Sequence, residues 1–296
     1  PLQAGGTFVD ATLGRGGHAR AVLAAAPAAR LIGIDRDPDA LEASGTYLAS
    51  FGDRVRLVRD NFEELASVLE RLGNPTVRGV LFDLGVASSQ LDEASRGFSF
   101  RHDGPLDMRM DPSAALNAAD VVNRYPIDQL ERVIRVFGEE RFARRIARAI
   151  ERERPIEGTV RLAAIVKDAI PAATRRTGGH PARRTFQAIR IEVNGEIRAL
   201  EAALPAAVEG LDTGGRLAVI SYHSLEDRAV KRFFNDEAGR CVCPPDLPVC
   251  ACGANARVRV LTARPVRPAA GEVAVNPRAR AAKLRVAERM GGRGRR

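Results

Sequence analysis

Residues 7–35 read TFVDATLGRGGHARAVLAAAPAARLIGID, and the order of patterns in this stretch decides the expected fold. An apolar run is followed by a glycine-rich turn, a helical period and a second apolar run, which predicts a strand, a helix and a strand. The same alternation continues to the apolar runs VRLVRD at 55–60 and VRGVLFDLG at 77–85. Because crossovers between parallel strands are right-handed, the pattern predicts an α/β fold with a doubly wound, mostly parallel, Rossmann-like sheet.

The alternation stops after residue 104, where long helical periods follow one another with no clear strand between them. A strand pattern returns in GGRLAVISYHS at 214–224 and is followed by a helical pattern. Two further β-like runs near the end of the sequence are expected to close the sheet as an antiparallel pair. We therefore expect one discontinuous sheet domain, residues 1–104 and 205–296, interrupted by an all-helical domain at 105–204.

The charge of the chain favours a polyanionic partner. Lys and Arg number 46 against 37 Asp and Glu, a formal net charge of +9, and nearly all the positive charge is arginine. Arginine forks suit phosphate groups, so contact with RNA or DNA is favoured, although the arginine-rich proteome of a GC-rich genome would show the same bias. No apolar run is long enough to span a membrane and no signal peptide is evident, so a cytoplasmic location is expected. A homo-oligomer is compatible with the sequence but not specified by it.

The glycine-rich turn after the first strand is typical of a nucleotide site. Gly14, Gly16 and Ala19 have the G-x-G-x-x-[G/A] spacing, Gly17 adds a further glycine, and the acidic Asp35 ends the second strand. Glycine lets the backbone approach a ligand, and a carboxylate at the second strand end suits ribose hydroxyls. The spacing alone fits a dinucleotide or S-adenosylmethionine equally well.

Other strand ends carry polar or aromatic residues suited to the same ligand. Phe62 follows the third strand and offers a ring to an adenine, and Asp83 ends the fourth strand. Asp10 lies inside the first strand, where a buried carboxylate needs a partner such as loop amides or a cationic ligand. That requirement favours S-adenosylmethionine over a nicotinamide dinucleotide. The alternative is that these residues only end strands, cap helices or fill the core.

Two further clusters stand outside the strand ends. The stretch RRTGGHPARRTFQAIR at 175–190 is expected to bind RNA phosphates through five arginines: Arg175, Arg176, Arg183, Arg184 and Arg190. The alternative is that these arginines form a solvated helix face. A C-x-C-x₆-C-x-C array is formed by Cys241, Cys243, Cys250 and Cys252. It is dense enough to bind one structural Zn²⁺, and the alternatives are reduced thiols or reversible disulfides.

Long motifs connect the chain with a known family. The run FDLGVASSQLDEASRGFSFRHDGPLDMRMDP at 82–112 closely resembles the bacterial 16S rRNA (cytosine-N4)-methyltransferase family. The resemblance extends in family order to VDATLGRGGH, GIDRDP, RRTFQAIRIEVNGE, VISYHSLEDRAVKRFF, CVCPPDLPVCACG and NPRARAAKLRVAER, and so covers almost the full chain. The chain departs from the family pattern at Ala87, where serine is usual. The sequence starts at Pro1 without the family's H-x-P-V-L segment, so we expect an N-terminal piece to precede it.

The resemblance implies a class I methyltransferase sheet, S-adenosyl-L-methionine as the methyl donor, and an acceptor amine at N4 of a cytosine. That cytosine would lie in the decoding centre of 16S rRNA, at the P site of the small ribosomal subunit. It also implies that the donor is contacted by Gly16, Gly17, His18, Asp35, Phe62, Asp83 and Gln90.

Methyl transfer to a cytosine amine requires a group that orients the amine, because its lone pair is conjugated into the ring. Asp83 is the first candidate, for orienting the donor, the amine or both, and His223, just after another strand, is the second candidate as a proton acceptor or RNA contact. Two other classes of protein remain open from the residues alone: a catalytically idle RNA-binding assembly protein and an NAD-dependent dehydrogenase. A DNA amine methyltransferase is disfavoured because the D/N-P-P-aromatic turn is missing.

Overall fold

The computed structural model of the chain describes residues 5–174, 179–239 and 255–291. The chain forms two compact units. The first contains the residues up to Gly85 together with those from Ile197 onward, and the second contains Val86–Glu196. No helix in the described part of the chain combines the length and the apolar character needed to cross a membrane.

The first unit is built on one seven-stranded sheet. The strands are β1 (Gly6–Asp10), β2 (Ala29–Asp35), β3 (Val55–Arg59), β4 (Val77–Asp83), β5 (Leu211–Ser221), β6 (Val258–Val260) and β7 (Lys283–Arg289). Their order in the sheet is β3-β2-β1-β4-β5-β7-β6. The first five strands are parallel, and β7 is antiparallel to both β5 and β6. The predicted Rossmann-like sheet and its antiparallel closure are therefore confirmed.

The strand order reverses between β1 and β4, because the chain moves outward from β1 to β3 and then returns to the other side of β1. In open sheets of this kind, ligands bind outside the carboxyl ends of the strands at such a reversal. The carboxyl ends of β1 and β4 are Asp10 and Asp83. The topology thus brings two acidic strand ends to the expected ligand position.

Helices of the first unit cover both faces of the sheet. They are α1 (Gly17–Ala25), α2 (Pro38–Leu48), α3 (Leu65–Arg71), α10 (Glu196–Gly210) and α11 (Ser224–Glu237), while a further short helix, α12 (Ala270–Val275), buries none of its residues. Successive strand residues point to opposite faces, so Phe8 packs with the α1 and α2 side while its neighbour Val9 packs with the α3, α10 and α11 side. Burial on both faces explains the consecutive apolar residues in the middle of β2 and β4, such as Leu31–Ile32 and Val80–Phe82.

Strand β7 holds the end of the sheet together. It is hydrogen-bonded to β5 on one side and to β6 on the other. Two of its residues also reach α11, where Lys283 Nζ and Arg285 Nε lie 3.0 Å and 2.7 Å from the carboxylate of Asp227. Among the described strands, β6 pairs with β7 alone.

The second unit is helical and has its own apolar core. Its helices are α4 (Ser88–Asp92), α5 (Ala118–Arg124), α6 (Ile127–Gly138), α7 (Ala143–Arg152), α8 (Thr159–Ala169) and α9 (Arg183–Asn194). Ile134, Ile146 and Leu162 are fully buried in this core and come from three different helices. The expected all-helical insertion is thus present as a separate unit.

The bounds of this unit differ from the expected 105–204 at both ends. The chain leaves the sheet unit directly after Gly85, and residues 86–104 belong with the helices. At the C-terminal end of the unit, the helical period of α10 correctly predicts a helix, but it does not predict which of the two cores the helix packs into. Leu200, Leu204 and Val208 of α10 are buried in the core of the sheet unit. Periodicity identifies the apolar face of a helix, whereas the partner of that face depends on tertiary packing.

Candidate functional site

The turn after β1 is shaped by glycines in the left-handed region. Gly14 has φ of 51° and Gly16 has φ of 80°. A side chain at Gly16 would also crowd Leu48, whose Cδ1 lies 3.1 Å from the position of an added Cβ. At Gly17, where α1 begins, an added Cβ would meet nothing within 4 Å. The turn therefore presents its backbone and the start of α1 to open space, which suits an approaching ligand.

Asp35, the last residue of β2, fixes this turn. Its Oδ2 accepts a hydrogen bond of 2.8 Å from the backbone N–H of Gly14, and its Oδ1 accepts one of 2.9 Å from Asp37. Burial raises the pKa of the Asp35 carboxyl above its usual value. Because each carboxylate oxygen has two acceptor positions, Asp35 can hold the turn and still accept from ligand hydroxyls.

Asp10 is a buried acid with an unused oxygen. Only 2% of the residue is exposed. Its Oδ1 accepts from the Thr12 backbone N–H at 3.3 Å, whereas its Oδ2 has no hydrogen-bond partner among the described residues. Burial raises the pKa of the Asp10 carboxyl to about 6, against the lowering effects of His18 and Thr12. A buried and unsatisfied carboxylate destabilises a fold, and such groups concentrate where ligands bind.

Asp83 is held from three sides at the end of β4. Its backbone N–H donates to Thr12 Oγ1 at 2.6 Å, which fixes it to the segment after β1. Its Oδ1 accepts from the hydroxyl of Tyr222 at 3.0 Å, and its Oδ2 lies 3.3 Å from His18 Nε2. The carboxylate is therefore oriented before any ligand arrives, which is the condition for precise placement of a reacting group.

The partners of Asp83 respond to its charge. The hydrogen bond to Asp83 raises the pKa of His18 above its usual value, although burial acts in the opposite direction. Burial, followed by the nearby Asp83 charge, raises the pKa of the Tyr222 hydroxyl far above its usual value, so Tyr222 stays a hydrogen-bond donor. The Tyr222 role was not predicted from the sequence. Its only sequence signal is its position directly after β5.

His223, the second catalytic candidate, is the N-cap of α11. Its Nδ1 accepts from the Glu226 backbone N–H at 3.4 Å, and the Glu226 carboxylate accepts from the backbone N–H of His223 at 3.2 Å and of Tyr222 at 2.8 Å. Its Nε2 lies 3.0 Å from Glu226 Oε1 but outside hydrogen-bonding geometry. Both ring nitrogens thus face Glu226, which favours a capping role over proton acceptance. The catalytic role of His223 stays a prediction.

Phe62 and Gln90 lie in different units. Phe62 follows β3 after two intervening residues and is half-buried. It packs edge-on against Phe82, with ring centroids 5.6 Å apart. It leaves part of its ring accessible, as an adenine contact requires. Gln90 belongs to α4 of the second unit, where its Oε1 accepts from the Ala87 backbone N–H at 3.1 Å. Its predicted contact with the donor stays a prediction.

The predicted RNA-binding arginines do not form one uniform group. Arg183 and Arg184 are exposed on the first turn of α9, and Arg184 donates to the backbone oxygen of Glu139 at 3.1 Å. Arg190 instead forms a two-pronged ion pair with Glu196, at 2.8 Å and 2.9 Å, and its side chain is only 17% exposed. This pairing removes the support for Arg190 as a phosphate contact, because its fork is already occupied.

Two sets of predictions fall on undescribed stretches. Arg175 and Arg176 lie outside the described residues, as does the cysteine array proposed for structural zinc: Cys241, Cys243, Cys250 and Cys252. These assignments stay predictions.

The parallel sheet, its glycine turn after β1 and the acids ending β2 and β4 define a Rossmann-like α/β protein with a nucleoside-type site at the strand ends. The model of the MraW methylase family matches residues 2–290 of the chain. The chain therefore belongs to the MraW methylase family. This assignment resolves the ambiguity of the glycine turn in favour of a methyl donor over a nicotinamide dinucleotide.

Several relatives are similar over nearly their whole length. A protein named ribosomal RNA small subunit methyltransferase H from Heliobacterium modesticaldum is 53% identical over 290 residues, covering 96% of this chain and 93% of that protein. Its namesake from Symbiobacterium thermophilum is 55% identical, covering 98% of this chain and 92% of that protein. A third, from Frankia casuarinae, is 56% identical, covering 97% and 91%.

Proposed function

We propose that the chain transfers a methyl group from S-adenosyl-L-methionine to the exocyclic N4 amine of a cytosine in 16S rRNA, in the decoding centre at the P site. The family membership and the names of relatives more than 50% identical support the reaction class and the rRNA substrate. The observation that carries the proposal is the carboxylate pair at the reversal of the sheet: Asp10 with an unsatisfied oxygen and Asp83 with a fixed orientation. The small ribosomal subunit is the proposed partner and the cytoplasm the proposed location.

The residues at the strand ends fit the donor. The open position beside Gly17 leaves room for it, and Asp35 has spare acceptor positions for ribose hydroxyls. The half-buried ring of Phe62 suits one face of an adenine. The unsatisfied Asp10 oxygen suits the positively charged end of the donor, because an opposite charge relieves the cost of burying a carboxylate.

The bound donor supplies a methyl group on a cationic sulfur. In this proposal, Asp83 accepts a hydrogen bond from the cytosine amine and turns the nitrogen lone pair toward the methyl group. The new bond joins the amine nitrogen to the methyl carbon, the sulfur–carbon bond breaks, and the proton released from nitrogen passes to the Asp83 carboxylate. Tyr222 and His18 keep that carboxylate in place. Orientation of this kind accounts for several kcal/mol of rate acceleration, roughly, in comparable intramolecular reactions.

The experiment is methyl transfer from labelled S-adenosylmethionine to unmodified small-subunit rRNA, both free and in assembled subunits, followed by mass spectrometry of the nucleosides. We expect N4-methylcytidine with the wild-type chain, and loss of at least 100-fold in turnover with Asp83→Asn. Asparagine keeps the shape and one acceptor, so the variant should still fold. Methylation at another atom, or wild-type turnover in Asp83→Asn, would contradict the proposal.

Calorimetric titration separates donor binding from catalysis. We expect the wild-type chain to bind S-adenosylmethionine and not NAD. Binding of the donor without any methyl transfer to rRNA would favour a catalytically idle RNA-binding assembly protein.

A further inference from the structure

Helix α7 carries four exposed arginines along one side. They are Arg144, Arg145, Arg148 and Arg152, and together we call them the arginine stripe. At 3.6 residues per turn, these positions fall within one arc of about 100° and extend for about 12 Å along the helix. The opposite side of α7 is buried in the core of the second unit through Ile146, Ala147 and Ile150. The core contact thus fixes the direction in which the stripe faces.

In the described part of the chain, an exposed arginine on each of the neighbouring helices α5 and α6 has a carboxylate partner, whereas those of the arginine stripe have none. On α5, Arg124 pairs with Asp120 one turn earlier at 3.0 Å, and on α6, Arg135 pairs with Glu131 in the same spacing. Within residues 5–174, 179–239 and 255–291, no carboxylate forms an ion pair with any of the four stripe arginines. The acidic Glu153 just beyond α7 pairs instead with Arg161 of α8.

A row of unpaired arginines destabilises an isolated helix. Arginines at i, i+4 spacing repel one another, as Arg144, Arg148 and Arg152 do here, whereas the paired faces of α5 and α6 remove that repulsion. A negatively charged ligand bound along the helix would remove this repulsion as well. Guanidinium groups form two-pronged hydrogen bonds with phosphate, so a row of them matches a phosphate backbone better than single acidic side chains.

We propose that the arginine stripe binds the phosphate backbone of the RNA substrate, and that it positions the RNA without reading its sequence. This inference rests on the proposed function for the identity of the RNA. Arg141, just before α7, is exposed and its guanidinium lies 4.6 Å from the centre of the Phe142 ring.

The test measures RNA binding as a function of salt, apart from methyl transfer. The stripe variant carries Arg144→Gln, Arg145→Gln, Arg148→Gln and Arg152→Gln, since glutamine keeps helix propensity. The matched control removes the same charge from four exposed arginines of the first unit, as Arg30→Gln, Arg56→Gln, Arg264→Gln and Arg267→Gln. The probe is transcribed 16S rRNA, and thermal unfolding and donor titration check that both variants remain folded.

If the stripe contacts phosphates, the slope of log affinity against log salt should become shallower by about 3 in the stripe variant, because each lost phosphate contact removes about 0.7–0.9. The control should keep the wild-type slope within about 1 unit. An equal decrease of the salt slope in both variants would show that the effect comes from net charge alone, and would overturn the proposal. An unchanged slope in the stripe variant would also overturn it, and would point to another partner, such as an acidic protein surface. A wild-type chain that binds rRNA without methylating it would contradict the proposed function and leave the stripe intact.

Discussion

Asp83, Tyr222 and His18 form a small hydrogen-bonded group at the carboxyl edge of the sheet, and each comes from a different element. Tyr222 is fixed twice, by its hydroxyl on Asp83 and by its backbone N–H on Glu226. The residue after β5 thus determines how the residue at the end of β4 is oriented. Tyr222 is a positioning residue in this arrangement, since it acts through Asp83.

Removal of the Tyr222 hydroxyl should lower turnover without preventing donor binding. We expect Tyr222→Phe to reduce kcat about 10-fold, equivalent to about 1.4 kcal/mol, with KM for the donor nearly unchanged. Tyr125→Phe is the matched control, because Tyr125 donates to Glu192 at 2.9 Å within the second unit. Both variants lose one tyrosine–carboxylate bond, so both should lose about 1 kcal/mol of stability. Equal kcat in the two variants would remove Tyr222 from the site.

Asp10 should make the fold sensitive to pH. An unfolded carboxyl releases its proton near pH 3.8, and the buried Asp10 carboxyl has its pKa raised to about 6. Between these values the folded state holds more protons, so stability falls as pH rises through this window and stays lower above it. We expect Asp10→Asn to raise the free energy of unfolding at pH 8 by on the order of 2–3 kcal/mol, and to give no gain at pH 4.

Urea unfolding at the two pH values measures this effect. The control is Asp53→Asn, at an exposed acid, which should show no gain at either pH. Donor affinity in Asp10→Asn should fall about 10-fold or more, since the charge opposite the cationic donor is lost. A variant that is no more stable than wild type at pH 8 would show that burial of this charge has no cost.

At the residue scale, the sequence predicts the positions that depend on strand ends, and misses those that depend on contacts between distant segments. Gly16, Asp35 and Asp83 follow from the alternation of strands and helices, because the ends of parallel strands share one edge. Tyr222 is separated from Asp83 by the whole second unit, so no local pattern connects them. Arg190 is a separate case: its ion pair with Glu196 is local, six residues along the chain, but it is not evident from the positive charge of the segment, and its RNA contact stays a prediction.

At the scale of elements, the histidine at the start of α11 has two candidate roles, as a helix cap and as a catalytic residue. His223 caps the helix through Nδ1 while Glu226 completes the reciprocal bond. Asparagine is an effective N-cap that cannot accept a proton at neutral pH, whereas alanine cannot cap. The two substitutions therefore distinguish a capping histidine from a catalytic one.

We expect His223→Asn to keep turnover and stability close to wild type, and His223→Ala to lose about 1 kcal/mol of stability. Thermal unfolding and single-turnover methyl transfer measure the two effects. A large loss of turnover in His223→Asn, with stability retained, would instead assign His223 to the chemistry.

Element types are predicted better than element partners. The strands from β1 to β5 and the long helices agree with their sequence patterns because apolar periods of two and 3.6 residues report local burial. The exceptions lie where local pattern is weak. The segment between β3 and β4 begins as a short 3-10 turn over Phe62–Glu64 before α3, and the segment 86–117 contains only the short α4 and a 3-10 turn. The arginine stripe has no distinctive sequence pattern, because its residues look like an ordinary solvated face until their pairing is known.

At the scale of the whole molecule, the two units have separate apolar cores, and the second is continuous in sequence. A continuous unit with its own core has the means to fold alone. We expect the isolated Val86–Glu196 segment to unfold in one cooperative transition by circular dichroism. Ile146→Ala, at a fully buried position, should destabilise it by about 2–5 kcal/mol. A gradual loss of helix, unaffected by this substitution, would show that the core forms only in the full chain.

The placement of β7 has a consequence for the chain during its own synthesis. Translation proceeds from the N-terminus, so β5 leaves the ribosome well before β7, which lies between β5 and β6 in the finished sheet. Until then, counting the described strands, β5 lacks its partner on one edge, β6 lacks the strand it pairs with, and Asp227 lacks Lys283 and Arg285. Open edges of this kind pair readily with other chains. A nascent chain that stalls before Lys283 is therefore the form most exposed to aggregation, and the sheet is completed only when its last described strand is released.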